Sequence, residues 1–264
     1  MDSAPSKLFQ GIVSGAPLID ELPGSRVFDP KLLGDGQVAE PLHMNQKLGH
    51  LVEDAVACLI EASDRFDLVH RNLQLQPDPQ TTLGELDFVL QDLESGHFIH
   101  LELAAKFYLA LPTPDGIRLP GPDPADNYFT KLGRLRDHQL RLTQLHRDHL
   151  PELIRSEPIE VQHLILGILF DPADAKDPSQ PDFIHPSCRR GRWVHVDALE
   201  AFFEPDARFE LVPKPLWPVP LEFLRDVPLR SWNRREMNHR CVMLRVNQGV
   251  EPWFVVPAHF PESR

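Results

Sequence analysis

The sequence predicts an α/β protein with a mixed central sheet flanked by helices. Helical periodicity and strand alternation follow one another in the order helix, strand, strand, strand, helix, strand, at residues 45–63, 68–76, 83–91, 98–109, 126–150 and 159–170. The last of these segments is an apolar run that follows a helix, which is typical of a buried strand paired in parallel through a crossover. This order indicates an α/β sandwich.

The first helix has an apolar arc at 3.6-residue periodicity and polar side chains on the opposite side. The arc consists of Leu48, Leu51, Val52, Ala55, Val56, Leu59 and Ile60. Glu53 lies at the border of this arc, so we expect its side chain to reach toward whatever the helix covers.

The second and third strands are predicted to form a hairpin, because Glu94-Ser95-Gly96-His97 between them is typical of a tight turn. Side chains alternate between the two faces of a strand. Glu85, Asp87 and Val89 are therefore expected on one face, and Glu102, Ala104 and Lys106 on one face of the next strand. The opposite faces supply core residues, namely Leu86, Phe88, Leu90, Leu101, Leu103 and Phe107.

The later helix is predicted to run without interruption over residues 126–150. Its apolar stripe comprises Tyr128, Leu132, Leu135, Leu142 and Leu145. Helical projection places Lys131, Gln139 and His146 on or beside this stripe, so these polar side chains are expected to face inward or to line a cleft.

Three segments are predicted along the chain. Residues 1–43 are rich in Pro, Gly and Asp and indicate an irregular lead-in with short helical pieces, and residues 44–170 form the α/β core. Residues 171–264 are expected to form an α+β extension packed on the core. Its predicted elements are a strand near 193–196, a helix over 196–203 and a strand near 253–256.

Composition limits the class of protein. The 264 residues are enough for one sizeable domain, and 42% hydrophobic with 25% charged residues is typical of a soluble globular protein. No apolar run approaches the roughly 18 to 20 residues of a membrane helix. The amino terminus has no signal-like layout, so a cytoplasmic location is expected. Cys58, Cys188 and Cys241 lack the spacing of a zinc site or a disulfide framework.

The net charge of −12 argues against a protein that binds nucleic acid over its whole surface, because Lys and Arg supply most of the non-specific affinity for phosphates. It leaves room for a local basic groove. Arginines clustered on the 126–150 helix, at 189–192 and at 230–245 are such candidates, although solvated helix faces carry the same pattern.

Acids and a lysine inside apolar strands are costly unless a partner, a hydrogen-bond network or a metal offsets their lost hydration. Carboxylate oxygens suit Mg²⁺, and carboxylate-bound Mg²⁺ can assist hydrolysis of a phosphodiester. A lysine nearby can orient water and offset phosphate charge. Asp87, Glu102 and Lys106 therefore predict metal-dependent phosphodiester chemistry, whereas an ion pair of Lys106 with the two acids is the structural alternative.

These residues resemble the PD-(D/E)XK phosphodiesterase superfamily. Gly84-Glu85-Leu86-Asp87 is similar to the G-x-x-D element of its RecB-like branch, and Gln139 is similar to the later helical glutamine of that branch. The resemblance, over residues 49–170, implies a restriction-endonuclease-like core with a four-stranded mixed sheet. It also implies cleavage of nucleic acid, DNA rather than RNA, with Mg²⁺ or Mn²⁺.

In that reading the metal ligands are Asp87 and Glu102, with Lys106 completing the catalytic set. Glu53, Glu85 and Gln139 would support them.

Two positions depart from the superfamily pattern. The lysine usually stands two residues after the acid, where this chain has Ala104, and Lys106 lies one strand period farther on the same face. Thr143 stands where the helical Q-x-x-x-Y pattern has tyrosine. The strings TLGELDF and ELAAKFYL are also similar to an uncharacterised bacterial family, domain-of-unknown-function family 1853, over nearly the full length.

Other functional classes stay open. A catalytically inactive binding or assembly module with the same fold fits the displaced lysine and the acidic surface. Hydrolysis of a small phosphorylated or acyl substrate is a third possibility, which a small closed pocket would favour over an open basic groove. The sequence has no H-E-x-x-H pattern and no phosphate-cradling glycine-rich loop, so nucleotide-dependent transfer is disfavoured.

Overall fold

A mixed β-sheet runs through the whole molecule, as the computed structural model, which describes residues 4–38 and 41–262, shows. In these ranges the helices are α1 (Ala4–Ser14), α2 (Leu48–Glu61), α3 (Tyr128–Asp137), α4 (Leu142–Leu145) and α5 (Glu152–Arg155). The strands up to the crossover are β1 (Arg26–Val27), β2 (Phe66–Leu75), β3 (Gly84–Asp92), β4 (Phe98–Leu109), β5 (Leu111–Thr113), β6 (Gly116–Arg118) and β7 (Ile159–Pro172). The later strands are β8 (Arg189–His195), β9 (Phe209–Val212), β10 (Arg230–Ser231), β11 (Val242–Val246) and β12 (Trp253–Val256).

The strand order of the sheet is β10-β9-β11-β12-β8-β7-β4-β3-β2, with β1 added in parallel to β7. β2, β3 and β4 are antiparallel neighbours. β4 and β7 pair in parallel, in register from Phe98 opposite Ile159 to Leu109 opposite Phe170. The predicted fold class, a mixed sheet flanked by helices, is confirmed, and so is the parallel pairing through the α3 crossover.

The two faces of β4 pack against different helices. Leu101, Leu103 and Phe107 belong to the main core with the apolar arc of α2, whereas Ala104 and Tyr108 pack with α3. Alternation along the strand produces this division. The even-numbered face, which carries Glu102 and Lys106, therefore lies under α3.

The long helix predicted over residues 126–150 is interrupted. His138, at φ −129° and ψ −66°, leaves the helical conformation, and the chain continues as a 3₁₀ turn at Gln139–Arg141 before α4 begins. Leu145, predicted to lie in the apolar stripe, is 49% exposed. Periodicity could not locate the break because both pieces carry apolar residues at helical spacing.

The predicted alternation on β3 also fails at one position. Leu86 packs in the same cluster as Val89, although we predicted it to lie with Phe88 and Leu90. Next to this point Asn72 of β2 has a positive φ of 52°, and the paired register of β3 with β4 ends at Phe88. The alternation of side chains on β3 is therefore irregular at the point where β3 separates from β4.

The flanking segments join this core. The lead-in contains α1, β1 and a 3₁₀ helix at Pro30–Leu33, capped by the Asp29 side chain. The strand predicted near 193–196 is β8, which pairs in parallel with β7, and the last predicted strand is β12. The helix predicted over 196–203 is a 3₁₀ helix at Val196–Phe202. The strands after residue 170 thus extend the same sheet.

β7 itself crosses the predicted 170/171 domain boundary, and that boundary stays a prediction. Across residues 4–38 and 41–262, none of the helices has the length and apolarity needed to cross a membrane.

Candidate functional site

Asp87 lies where β3 and β4 separate. The paired register of the two strands ends at Phe88 opposite Leu101. One residue farther, the Asp87 Oδ2 atom accepts a hydrogen bond from the backbone N–H of Leu103 at 2.8 Å. The carboxyl group therefore occupies the split between the strands, next to the backbone of Glu102.

The Glu102 carboxylate is buried and held at both oxygens. The side chain is 1% exposed; Oε1 lies 2.7 Å from His100 Nε2, and Oε2 accepts a hydrogen bond from Gln139 Nε2 at 2.7 Å. The helix break at His138 makes the second contact available, because it turns Gln139 toward β4. The predicted supporting residue Gln139 and the predicted metal ligand Glu102 are thus in direct contact.

His100 is a member of this site that the sequence reasoning missed. It is fully buried, and among the described residues its Nδ1 atom has no hydrogen-bond partner. A neutral imidazole that donates through Nε2 to Glu102 leaves Nδ1 as a bare acceptor, which costs less than a buried unpaired N–H. The sequence signal that could have identified His100 is its position two residues before Glu102, which places both side chains on the same face of the strand.

Lys106 lies on the same face of β4, but its ion-pair partner is neither Asp87 nor Glu102. Its Nζ atom is 3.2 Å from Asp126 Oδ2, and both side chains are a little more than one-quarter exposed. Asp126 precedes α3 in a loop with several acids, so no pattern distinguished it in the sequence. Lys106 is therefore oriented by Asp126 toward the α3 side of the sheet.

The two other predicted acids lie at the periphery. Glu53 is 24% exposed on α2, with Oε2 3.5 Å from His50 Nδ1. Glu85 is exposed on β3 and accepts a hydrogen bond from Gln74 Nε2 at 3.2 Å. The structure brings neither acid into hydrogen-bond contact with Asp87, although both influence its charge.

Burial raises the pKa of Asp87 to about 8, and the charges of Glu102, Glu53 and Glu85 act in the same direction. The hydrogen bond from Leu103 N–H opposes them by favouring the ionised form. Among the described residues, no cationic side chain lowers the pKa of Asp87, so the repulsion between the acids is not offset. A cation bound between them would lower the pKa of Asp87.

A cavity of about 280 Å³ lies between β4 and α3. Its polar lining consists of Glu102, Lys106, Lys131, Arg134 and Gln139, and its apolar lining includes Leu132, Leu135, Ile165 and the buried rings of Tyr108 and Tyr128. Lys131 and Gln139 were predicted to face inward or to line a cleft, and both line this cavity. His146, predicted with them, is not part of its wall. Glu102 and Lys106 therefore face a cleft that opens to solvent beside the exposed side chains of Lys131 and Arg134.

The carboxylates of Asp87 and Glu102 are compatible with an Mg²⁺ ion that keeps most of its bound water molecules. Within the described ranges no three acidic, histidine or cysteine side chains are grouped to hold a metal ion. Mg²⁺, however, is usually bound by one or two carboxylates together with waters and substrate phosphates. Asp87 and Glu102 can supply these two carboxylates, and the unbalanced acidic charge around Asp87 favours a cation there.

Fold and site together define a mixed α/β protein with one buried acid, Glu102, and one half-buried acid, Asp87, at a strand split, beside a cavity lined with cations. The sequence model of the family described as a domain of unknown function (DUF1853) matches residues 31–248, and the chain belongs to this family. No curated protein and no solved structure matches the chain.

Proposed function

We propose that the protein is a PD-(D/E)XK-type phosphodiesterase that hydrolyses nucleic acid, DNA rather than RNA, with Mg²⁺ or Mn²⁺. The observation that carries the proposal is the pair of acids at the split between β3 and β4: Asp87 accepts a hydrogen bond from the backbone N–H of Leu103 at 2.8 Å, next to the buried side chain of Glu102. The pKa of Asp87, raised to about 8 by burial and by three further acids, supports the proposal. A site that concentrates carboxylates in this way is suited to a divalent cation. The sheet order supports it, because α2, β2, β3, β4, α3 and β7 follow the arrangement that the resemblance implies.

Each residue has a role in this proposal. Asp87 and Glu102 would hold the ion, and His100 and Gln139 fix the carboxylate of Glu102 through its two oxygens. Such outer partners keep a ligand in one orientation. Lys106 would offset phosphate charge from its position on the same strand face, where Asp126 orients its ammonium group.

The chemistry is hydrolysis. Water oxygen adds to phosphorus, the bond from phosphorus to the leaving sugar oxygen breaks, and that oxygen receives a proton. A bound divalent ion would lower the pKa of the attacking water and neutralise charge on the phosphate. Glu53 and Glu85 lie farther from the reacting atoms and would act on the charge of Asp87.

The test combines metal titration with cleavage assays on the full chain. Mg²⁺ and Mn²⁺ are titrated calorimetrically, and labelled single-stranded, duplex and branched DNA and RNA are incubated with each ion. Asp87→Ala should abolish cleavage and weaken metal binding. His100→Ala should lower metal affinity by about 10- to 100-fold, the usual effect of losing a partner of a metal ligand.

Glu94→Gln is the matched control for Glu102→Gln, because Glu94 is 73% exposed on the hairpin turn beyond the same two strands. The Glu94→Gln control should keep DNA cleavage and metal binding, whereas Glu102→Gln should lose both. If every substrate stays intact and Asp87→Ala leaves metal binding unchanged, the protein is not a metal-dependent phosphodiesterase.

A second candidate is a catalytically inactive binding module on the same fold. It is favoured by the contacts that already occupy the site: both oxygens of Glu102 are hydrogen-bonded, and Lys106 is paired with Asp126. Fluorescence anisotropy with labelled DNA separates the candidates. Binding that persists in EDTA, with no cleavage in Mg²⁺ or Mn²⁺, would favour the module.

A further inference from the structure

Two solvent-exposed cations of α3, Lys131 and Arg134, lie at the rim of the cavity, and among the described residues their side chains have no partner. Lys131 and Arg134 are three residues apart and therefore lie on one side of the helix. Both line the cavity, and in the part of the chain that the structure describes neither side chain has a hydrogen bond or an ion pair. Arg136, on the same helix, differs: its guanidinium pairs with Asp137 at 2.7 Å and does not line the cavity. In a protein of net charge −12, a pair of uncompensated cations at one cavity favours an anionic ligand.

The size and lining of the cavity restrict what that ligand is. Its volume of about 280 Å³ is just below the range of roughly 300–1,000 Å³ that small-molecule sites occupy. Leu132, Leu135 and Ile165 supply an apolar surface, and the Tyr128 ring lies beside them. Such a space takes one flat apolar group together with an anion, whereas the width of a duplex does not fit inside it.

The wall opposite the helix holds the candidate chemistry. Glu102 and Lys106 belong to β4, and their side chains line the same cavity as Lys131 and Arg134. A phosphate held by the α3 cations would therefore lie in the same cleft as the Glu102 carboxylate. Gln139, which donates a hydrogen bond to Glu102, lines the same cleft between helix and strand.

We propose that this cavity binds a single phosphorylated nucleotide unit, with Lys131 and Arg134 on the phosphate and the apolar lining on the base. Resting on the proposed function, this inference specifies the substrate: the end of a single strand, or a free nucleotide, enters the site. A continuous strand without an end does not.

Binding is measured first, without metal. 2′-Deoxyadenosine 5′-monophosphate, 2′-deoxyadenosine and inorganic phosphate are titrated calorimetrically into the full chain in EDTA. The monophosphate should bind with saturation and more tightly than 2′-deoxyadenosine. Each of Lys131→Ala and Arg134→Ala should weaken its binding by about 10- to 100-fold, because each removes a charge-assisted contact. Binding of 2′-deoxyadenosine should not change.

The matched control is Arg136→Ala, which removes a cation from the same helix but not from the cavity, and it should bind the monophosphate as the unmodified protein does. Lys131→Gln keeps the aliphatic stem and checks that a loss reflects charge and not packing. Equal affinity for the monophosphate in the double variant Lys131→Ala/Arg134→Ala, or no saturable binding at all, would overturn the inference.

A second assay distinguishes the strand end from the free nucleotide and separates the two proposals. Linear and covalently closed circular single-stranded DNA of one sequence are incubated with the protein in Mn²⁺. Release of mononucleotides from the linear form alone supports the strand end. Cleavage of the circle at the same rate contradicts the inference and leaves the phosphodiesterase proposal standing. Charge-dependent monophosphate binding with neither DNA cleaved supports the cavity and contradicts the phosphodiesterase.

Discussion

At the scale of single residues, the site is organised by how its two carboxylates are satisfied, one buried at Glu102 and one half-buried at Asp87. Glu102 has a donor at each oxygen, from His100 and Gln139, so its position is fixed before any ligand arrives. Asp87 has one backbone donor, from Leu103, and acids around it. Glu102 therefore has a partner at each oxygen, whereas burial and the neighbouring acids oppose the ionised form of Asp87.

The raised pKa of Asp87 predicts that folding is less favourable at higher pH. In the folded chain the pKa is about 8, and in the unfolded chain about 3.9. Between these values the folded state binds more protons than the unfolded state, so the free energy of unfolding falls as pH rises, by at most about 1.4 kcal/mol per pH unit. Asp87→Asn removes this dependence and keeps an oxygen for Leu103 N–H. The variant should be more stable than the unmodified protein near pH 8, with little difference near pH 4.

Urea unfolding in EDTA at several pH values measures this effect, because EDTA removes any cation that would lower the pKa. Asp67→Asn, an exposed carboxyl on β2, is the control and should change the free energy of unfolding by less than about 0.5 kcal/mol. If Asp87→Asn is destabilising to the same extent at every pH, Asp87 is ionised in the folded protein without penalty.

At the scale of elements, the interrupted helix determines the geometry of the site. An unbroken helix over residues 126–150 would continue past β4 in one direction, whereas the break at His138 turns the next segment back onto β3 and β4. Leu142 then packs over Gly84, and Gln139 reaches Glu102. The first residue of the G-x-x-D string thus has a packing role, since a side chain at Gly84 would collide with Leu142.

Gly84→Ala should destabilise the protein by about 1–3 kcal/mol, the usual cost of overpacking a core. A Cβ atom at Gly84 would lie 2.5 Å from Leu142 Cδ2, and Leu142 is 1% exposed and cannot move into solvent. Gly49→Ala is the control: its Cβ would have only Glu53 Oε1 nearby, at 3.9 Å. Because alanine favours a helix, it should be neutral or stabilising by less than about 1 kcal/mol.

The midpoint of urea unfolding measures both variants. A Gly84→Ala protein as stable as Gly49→Ala would mean that α4 moves away from β3 at little cost. In that case the proposed metal site predicts a lower metal affinity of the variant as well, because Gln139 would move with α4 and lose its contact with Glu102.

At the scale of the whole molecule, one sheet joins the core to the carboxyl-terminal strands. β8 pairs with β7, which is also the parallel partner of β4, and β12, β11, β9 and β10 continue outward from β8. Trp193 of β8 donates a hydrogen bond from Nε1 to the backbone oxygen of Ala110 at 2.9 Å, just beyond the end of β4. The main hydrophobic core likewise includes residues from both sides of position 170.

This continuity predicts that the chain unfolds in one cooperative transition. All four tryptophans lie after residue 170, so their fluorescence reports on the carboxyl-terminal strands. Hydrogen exchange of the β4 amides reports on the core. The two probes should give the same urea midpoint, since removing the later strands would expose the edge of β7. Separate midpoints would instead support an independent unit at residues 171–264.

Local patterns were sufficient for much of the fold. The third strand was predicted at the same bounds as β4, 98–109, because a hairpin turn precedes it and its alternation is unbroken. The crossover strand at 159–170 was predicted for a similar reason: a long apolar run can only be buried. These properties reside in consecutive residues and need no partner to be recognised.

The site was predictable only in part. Asp87 and Glu102 stand out because ionisable residues in apolar strands are uncommon. His100 and Asp126 did not stand out, because their roles come from contacts with Glu102 and Lys106 that the fold creates. The alternative in which Lys106 forms an ion pair with Asp87 and Glu102 was also wrong, because its partner is Asp126.

By itself the sequence determined the order of the central elements and the strand face on which Glu102 and Lys106 lie, because periodicity of 2.0 or 3.6 residues fixes which side chains share a side. Only the tertiary structure decided where the helix breaks, which donors hold Glu102, and that Lys131 and Arg134 line one cavity with it. The physical reason is that these contacts depend on how α3, α4, β3 and β4 are positioned relative to one another. That positioning follows from packing between residues far apart in the chain, such as Gly84 and Leu142.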